Sequence, residues 1–144
     1  MPSETRNGCE IVRVVLDTNV LVSALIHEGK PRKLLSKLLE KHTVILSQHL
    51  MAEFADVVSR DKFVVKDFQV DRFLSDLVSM SKIVADNPVF KAVLEDPDDD
   101  VVLNAAVAGK ADLIVSGDRH LLKLECFKGI RIVSVVDMLE ILEN

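Results

Sequence analysis

The chain has 144 residues and a formal net charge of −5, from 18 basic and 23 acidic side chains. Hydrophobic residues make up 49% and charged residues 28%, which excludes a disordered chain and fits one soluble domain. Aromatic residues are only 4%, without Trp or Tyr, which excludes the aromatic stacking surface of a ribonucleoprotein domain. The acidic total argues against nucleic-acid binding by the whole surface, but a local basic track stays open because salt screens distant charges.

The first half of the sequence predicts short buried strands that alternate with helices. Residues 1–10 are polar and are expected to form a flexible lead, not a secretory signal, ahead of one domain over 11–144. The β-branched run Ile11–Leu16 predicts a buried strand. The elements predicted next are helices over 18–26 and 31–41, a strand over 44–46, a helix capped by Ser47 and ending near 59, and a helix over 68–81.

The second half repeats this alternation and leads to a fold class. The predicted elements are a strand over 83–85, a turn-rich connection over 87–98, a helix over 99–108 ended by Gly109, a strand over 111–115, a helix over 119–124, a strand over 130–133 and a helix over 135–142. Short apolar strands between helices predict a single α/β domain with a central parallel sheet of about five strands and helices on both faces.

Cellular location is constrained by hydropathy and by the cysteines. The longest stretch without a charged residue, His42–Ala52, is shorter than the roughly 20 residues that a membrane helix needs. Cys9 and Cys126 lie far apart and share no metal-type spacing with histidines, which favours free thiols in a reducing compartment. We therefore expect a cytoplasmic protein without a membrane partner.

Two aspartates stand where predicted strands end. Asp17 follows the strand that ends at Leu16, and Asp118 follows the strand that ends at Val115. Ligands of open α/β sheets bind at the carboxyl ends of the strands, which makes both acids candidate ligands. Each is also a good N-cap for the helix that follows, and the two roles are compatible.

Two further acids lie inside predicted helices. Glu53 falls at the margin of the apolar arc of its helix, where it is either a half-exposed rim residue or a ligand. In the run Asp96–Asp100, the dipole of the helix N-terminus explains Asp98 and Asp99. Asp100 instead shares a helix face with Asn104 in an otherwise apolar helix, and buried polar groups need partners such as a hard cation.

These positions predict that four carboxylates converge at one edge of the sheet: Asp17, Glu53, Asp100 and Asp118. Hard oxygen ligands select Mg²⁺ or Mn²⁺, and such a cluster suits phosphodiester hydrolysis by metal-activated water. Three polar residues are placed to orient the acids or water around the metal: Asn19, Ser116 and Asn104.

Four sequence motifs around these acids resemble those of PIN domains, including the VapC-like toxins of toxin–antitoxin pairs. They are residues 15–24, Glu53 after Leu46-Ser47, residues 96–106 and residues 111–118. The resemblance covers nearly the whole chain from Val12. It implies a Mg²⁺- or Mn²⁺-dependent endoribonuclease with the four acids as metal ligands, often dimeric and often held by a small antitoxin. His120 departs from the pattern, since relatives commonly carry an acid there; a solvated helix-start residue or a substrate contact both stay open.

An RNA substrate needs a positive track for its phosphates. The richest basic segment of the sequence supplies four candidates, with Lys41 continuing it: Lys30, Arg32, Lys33 and Lys37. A sparser cluster follows at Arg60, Lys62 and Lys66. For any single lysine, the same basic pattern is more typical of the solvated face of an amphipathic helix.

Two other functions compete with a nuclease. The first is a catalytically silent PIN-like module that binds RNA or protein, although such a module has no need of all four acids. The second is a phosphatase of the haloacid-dehalogenase type with Asp17 as nucleophile. That chemistry wants an acid where this chain has Asn19, and it leaves Glu53 and Asp100 unexplained. The apolar helix from Phe68 is either core or a surface for a second copy or a partner.

Overall fold

Short strands and helices alternate along the computed structural model, which describes residues 5–6, 9–60, 67–85 and 97–143, and side chains for 10–60, 69–85 and 101–143. The strands are β1 (Thr5–Arg6), β2 (Cys9–Glu10), β3 (Arg13–Leu16), β4 (Thr43–Ser47), β5 (Lys82–Val84), β6 (Leu113–Val115), β7 (Cys126–Phe127) and β8 (Ile130–Val133). The helices are α1 (Thr18–Ile26), α2 (Lys30–Lys41), α3 (Gln48–Arg60), α4 (Asp67–Met80), α5 (Pro97–Ala108), α6 (Arg119–Leu124) and α7 (Val135–Glu143).

Six strands form one sheet in the order β5-β4-β3-β6-β8-β7. The first five are parallel to one another, which confirms the predicted parallel sheet, and β7 is added antiparallel at the edge. The sequence did not predict β7, nor the antiparallel pair β1–β2 inside the segment expected to be a lead. Both consist of two-residue strands, which are too short to show any periodicity.

Helices cover both faces of the sheet, as predicted. One face packs against α1, α2, α3, α4 and α7, and the other against α5 and α6. Alternation along the strands divides the core, because Val14 and Leu16 of β3 face the first layer while Val15 faces the second. On α4, Leu77 is buried and Phe73 stacks on Phe54 of α3 with ring centroids 5.6 Å apart. Part of the apolar face of that helix is therefore core, whereas Val78 and Met80 are exposed.

The connections create a crevice beside β3. After β3 the chain continues to β4 and β5 on one side, and it then returns through α5 to β6 on the other side. The order therefore reverses between β3 and β6, and ligands of open α/β sheets bind at the carboxyl ends of strands at such a reversal. Asp17 and Asp118 follow these two strands.

The end of α5 lies at the opposite end of the strands, just before β6 begins. The amide of Lys110 donates to the carbonyl of Val107 (3.2 Å), and that of Ala111 donates to the carbonyl of Ala106 (2.9 Å), a Schellman arrangement. Its left-handed residue is Lys110 (φ 53°) rather than Gly109. Position 109 favours glycine for another reason, because a Cβ there would lie 2.5 Å from Cγ2 of Ile45.

Candidate functional site

Asp17 joins the end of β3 to the start of α1. Its backbone amide donates to the carbonyl of Val115 (2.9 Å), which extends the pairing of β3 with β6 by one residue. Its carboxylate caps α1, since Oδ1 accepts the amide of Asn19 (3.3 Å). The side chain is only 6% exposed, which places a carboxylate inside the crevice. The predicted capping role is thus confirmed.

Ser116 connects the two acids at the switch point. Its hydroxyl donates to Oδ2 of Asp17 (2.7 Å) and accepts the backbone amide of Asp118 (2.9 Å). Ser116 is fully buried, and its own amide donates to the carbonyl of Val133 (3.0 Å), so the neighbouring strand β8 holds it in place. One hydroxyl therefore sets the position of the Asp17 carboxylate relative to the start of α6.

Asp118 caps α6 in the same way that Asp17 caps α1. Its Oδ1 accepts the amides of His120 (2.7 Å) and Leu121 (3.3 Å), whereas Oδ2 takes part in neither bond. The side chain is half-buried. The imidazole of His120 is exposed beside it, as is the side chain of Asn19 across the crevice.

The electrostatics of the pair favour a bound cation. Burial raises the pKa of Asp17, and the charge of Asp118 raises it further, against the hydrogen bonds from Ser116 and from the amide of Asn19. Among the residues that the structure describes, no lysine or arginine forms an ion pair with either acid. A desolvated carboxylate without a cationic partner is costly, and a hard divalent ion would relieve that cost.

Thr18 is a polar residue of this region that the sequence analysis missed. Its side chain is 2% exposed, and its Oγ1 has no hydrogen-bond partner within the described residues. Such an orphaned oxygen next to Asp17 fits a site that orders a ligand or water. The available signal was a hydroxyl residue at the first position of a helix that begins at a candidate ligand.

For the other two predicted acids, Glu53 and Asp100, the structure describes less. Glu53 is half-buried on α3, which packs against α1 and α5. The backbone of Asp100 lies in the first turn of α5, and its side chain is outside the described residues, as are those of Asp98 and Asp99. Within the described side chains, no three acids, histidines or cysteines are gathered as a metal site. Asp17 and Asp118 are brought together, and the convergence of all four acids stays a prediction.

Asn104 does occupy the buried position expected of it. It is 5% exposed and lies between Leu103 and Ala105, which are fully buried. From Val102 to Ala106 the helix α5 is buried, and Asn104 is the polar side chain of that stretch. Asn104 also follows Asp100 by four residues and so shares its helix face.

The basic residues of α2 divide into two kinds. Lys30 and Lys33 are exposed, whereas Lys37 lies 3.8 Å from Glu143 of α7. The guanidinium of Arg32 donates to the carbonyls of Ala24 (2.8 Å) and Leu25 (2.7 Å) and so satisfies the end of α1. The nine residues of α1 span about 13 Å, which separates these residues from Asp17 along the helix.

The second basic cluster is largely beyond the described residues. Arg60 lies 3.3 Å from Asp56 on the exposed face of α3, while Lys62 and Lys66 are outside the described part. Cys126 carries a free, exposed thiol, and the side chain of Cys9 is likewise outside. None of the helices in the described ranges has the length and apolarity to cross a membrane.

Comparisons with known proteins agree with this architecture. A family model described as PIN domain matches residues 13–120, a range that contains all four predicted acids. Over 118 residues the chain is 32% identical to an uncharacterized protein, MJ1680, of Methanocaldococcus jannaschii, covering 78% of this chain and 75% of that protein.

Two solved structures share the fold at low sequence identity. One is the crystal structure of VapBC2 from Rickettsia felis bound to a DNA fragment from their promoter, with a TM-score of 0.63, 20% identity, and coverage of 85% of this chain and 98% of that one. The other is PAE2754 from Pyrobaculum aerophilum, with a TM-score of 0.62, 20% identity, and coverage of 98% and 96%. These likenesses show the α/β fold.

Proposed function

Because the chain belongs to the PIN domain family, we propose that it is an endoribonuclease that hydrolyses RNA phosphodiester bonds with Mg²⁺ or Mn²⁺. Proteins of this family generally use divalent metal ions. In this proposal Asp17, Glu53, Asp100 and Asp118 hold the metal. The family match does not support the alternative of a haloacid-dehalogenase-type phosphatase.

One observation carries the proposal: the buried hydroxyl of Ser116 joins the carboxylate of Asp17 to the amide of Asp118 at the switch point of the sheet. It holds two acids from different strands at a fixed spacing, and neither has a cationic partner among the described residues. A divalent cation bound there would activate water and offset the charge of the attacked phosphate. The buried Oγ1 of Thr18 next to Asp17 adds a further oxygen without a partner among those residues.

The chain's own residues then have distinct tasks. Asp17 and Asp118 supply carboxylate oxygens, and their capping bonds to α1 and α6 fix the direction of each side chain. Ser116 positions both acids. Asn19 and Asn104 are proposed to orient water or a neighbouring carboxylate, Asn19 from the exposed side of the crevice and Asn104 from buried α5.

RNA is proposed to approach along exposed lysines of α2. Lys30 and Lys33 are exposed and are therefore the better phosphate contacts, whereas Arg32 and Lys37 already make contacts within the protein. Without metal, the charges of Asp17 and Asp118 repel phosphate, so we expect weak RNA binding in the presence of EDTA.

We further propose a biological setting for this activity. As a toxin of the VapC type, the protein would be cytoplasmic, form a homodimer and be held by a small antitoxin. The likeness to a chain of the VapBC2 structure supports a partner of that kind. Co-expression of this chain with a small protein encoded beside it, followed by co-purification, tests the partner.

Cleavage of a mixed RNA substrate tests the activity. The protein is incubated with Mn²⁺, with Mg²⁺ and with EDTA, beside the variants Asp100→Asn and Asp99→Asn. The adjacent Asp99 is the matched control, because the helix N-terminus alone accounts for it. Metal-dependent cleavage that only Asp100→Asn removes supports the proposal. Equal cleavage by Asp100→Asn contradicts the assignment of the acids. Metal binding without cleavage favours the silent RNA- or protein-binding module.

A further inference from the structure

A cavity opens at the end of the sheet opposite to the paired acids. Its volume is about 390 Å³, within the range of about 300–1,000 Å³ that is typical of small-molecule sites. The segments that lead into β6 and β8 line it, with Lys110, Asp112 and Lys128 as charged residues and Val107, Ala111 and Ile130 as apolar walls. Both segments precede their strands, so the length of the sheet separates this cavity from Asp118.

Two lysines at the cavity occupy backbone conformations that do not suit lysine. Lys110 (φ 53°) is the left-handed residue that ends α5, and Lys128 (φ 50°) precedes Gly129 (φ 80°) in the two-residue turn between β7 and β8. Glycine and asparagine are favoured at both kinds of position. Glu125 (φ 60°) has a similar backbone conformation without lining the cavity, so what distinguishes the two lysines is that both border the same cavity.

The charges of the lining suit one class of ligand. The charged side chains that line the cavity are two lysines and one aspartate. Nζ of Lys128 lies 5.9 Å from the centroid of the Phe127 ring, beside the turn. Oδ2 of Asp112 accepts the amide of Arg13 (2.8 Å), which fixes that carboxylate and points its other oxygen away from this bond.

A nucleotide has the matching parts. Lysine ammonium groups bind phosphate, a fixed carboxylate accepts hydrogen bonds from ribose hydroxyls, and apolar walls pack against the ring of a base. We propose that this cavity binds a ribonucleoside phosphate, with Lys110 and Lys128 at the phosphate and Asp112 at the ribose. The ligand is either a free nucleotide or one nucleotide of an RNA strand, and it binds independently of the metal site.

Calorimetry with AMP in EDTA tests the proposal, because EDTA removes any contribution of a metal at the acids. The wild type is compared with the double variant Lys110→Gly/Lys128→Gly and with Lys123→Gln, an exposed lysine of α6 that does not line the cavity. We expect the double variant to bind AMP at least tenfold more weakly and Lys123→Gln to bind it as the wild type does. Without ligand, the double variant should melt at or above the temperature of the wild type, since glycine suits both backbones.

Two further arms complete the test. The variant Lys110→Asn/Lys128→Asn also tolerates the left-handed backbone and replaces the glycine variant if that fails to fold. A 5′-phosphorylated RNA hexamer, titrated in EDTA, identifies the source: binding of AMP indicates a free nucleotide, and binding of the hexamer alone indicates an RNA strand. Loss of either binding in the double variant supports the proposal. Binding of neither probe, or binding that both double variants retain, overturns it.

Discussion

The hydroxyl of Ser116 lies 2.7 Å from Oδ2 of Asp17, although the two residues are 99 positions apart in the sequence. Both are polar groups, and both are nearly or fully buried. Buried polar groups persist when they satisfy each other, and here they also fix the spacing of two acids.

Removing this hydroxyl tests its positioning role. We expect Ser116→Ala to reduce metal-dependent cleavage about 10–100-fold, the usual cost of losing a residue that orients a ligand. The Mn²⁺ concentration for half-maximal activity should rise, which a purely structural role would not cause. Ser116→Thr, which keeps the hydroxyl, should restore most of both quantities. Unchanged Mn²⁺ dependence in Ser116→Ala would contradict the role.

Replacing Asp17 should stabilise the metal-free protein while it removes activity. Because burial raises the pKa of Asp17 in the folded state, the folded protein binds more protons than the unfolded chain between the two pKa values. The free energy of unfolding therefore falls as the pH rises through the folded pKa, and the ionised carboxylate is unfavourable at neutral pH. Asp17→Asn keeps the cap on α1 without that charge.

The measurement for Asp17→Asn is thermal unfolding at pH 7 in EDTA and then with Mn²⁺. We expect a melting temperature above that of the wild type in EDTA, and Mn²⁺ should stabilise the wild type only. Asp56→Asn, on the exposed face of α3, serves as the control for charge removal. A lower melting temperature for Asp17→Asn in EDTA would show that the buried charge is compensated in another way.

We expect His42, which lies just before β4, to make the stability of the protein depend on pH. Its Nδ1 accepts the amide of Val12 (3.1 Å), and burial together with the charge of Lys41 lowers its pKa. The unfolded chain then binds more protons than the folded protein, so the free energy of unfolding should fall as the pH drops below about 6.5. Urea unfolding between pH 7 and pH 5 measures this. In His42→Asn, whose amide oxygen can accept the same bond, the slope should flatten; a slope equal to that of the wild type would assign it to other groups.

Gly109→Ala should destabilise the protein although alanine is the better helix residue. The added Cβ would lie 2.5 Å from Cγ2 and 3.0 Å from Cδ1 of Ile45, a clash inside the core. We expect a loss of about 1–3 kcal/mol in the free energy of unfolding, as for other overpacked cores. Ile45→Ala in the same chain should offset part of this loss, so a double-mutant cycle that shows strict additivity would contradict the contact.

Replacing Arg32 or Lys33 with a neutral residue should affect stability and RNA binding differently. Arg32→Gln removes the donors that satisfy the carbonyls of Ala24 and Leu25, and we expect a loss of about 1–2 kcal/mol in stability. Lys33→Gln should leave stability unchanged and weaken RNA binding, with a shallower salt dependence. Fluorescence anisotropy with Mn²⁺ and a catalytically inactive background measures the binding. If Arg32→Gln weakened RNA binding and Lys33→Gln reduced stability instead, Lys33 would not belong to the RNA track.

The features that the sequence predicts correctly are those that local residue patterns determine. The bounds of α1, α6 and β8 coincide with the predicted ones, because an aspartate cap or a run of β-branched residues marks each of them. The placement of Asp17 and Asp118 at neighbouring strand ends also follows from the order of strands and helices. The bounds of the elements depend on residues that are close together in the chain, whereas the pairing of β3 with β6, which brings the two acids together, does not.

The features that the sequence did not predict depend on tertiary contacts or on backbone conformations that are unfavourable for the residue present. In the two-residue turn that joins β7 to β8, only Gly129 is a typical turn residue. The other position of the turn is Lys128, in a backbone conformation that favours glycine. Gly109 is explained by Ile45, which is remote in sequence. The sequence shows the hydroxyl of Thr18 at the first position of α1, but not that its Oγ1 is buried without a partner among the described residues.

The contact between Ser116 and Asp17 also has a consequence for synthesis on the ribosome. Synthesis runs from the N-terminus, so Asp17 and α1 leave the ribosome long before Ser116 and Asp118. A nascent chain that still lacks β6 has no paired acids at the end of β3. The contact that pairs the two acids therefore forms only after nearly the whole chain has been made.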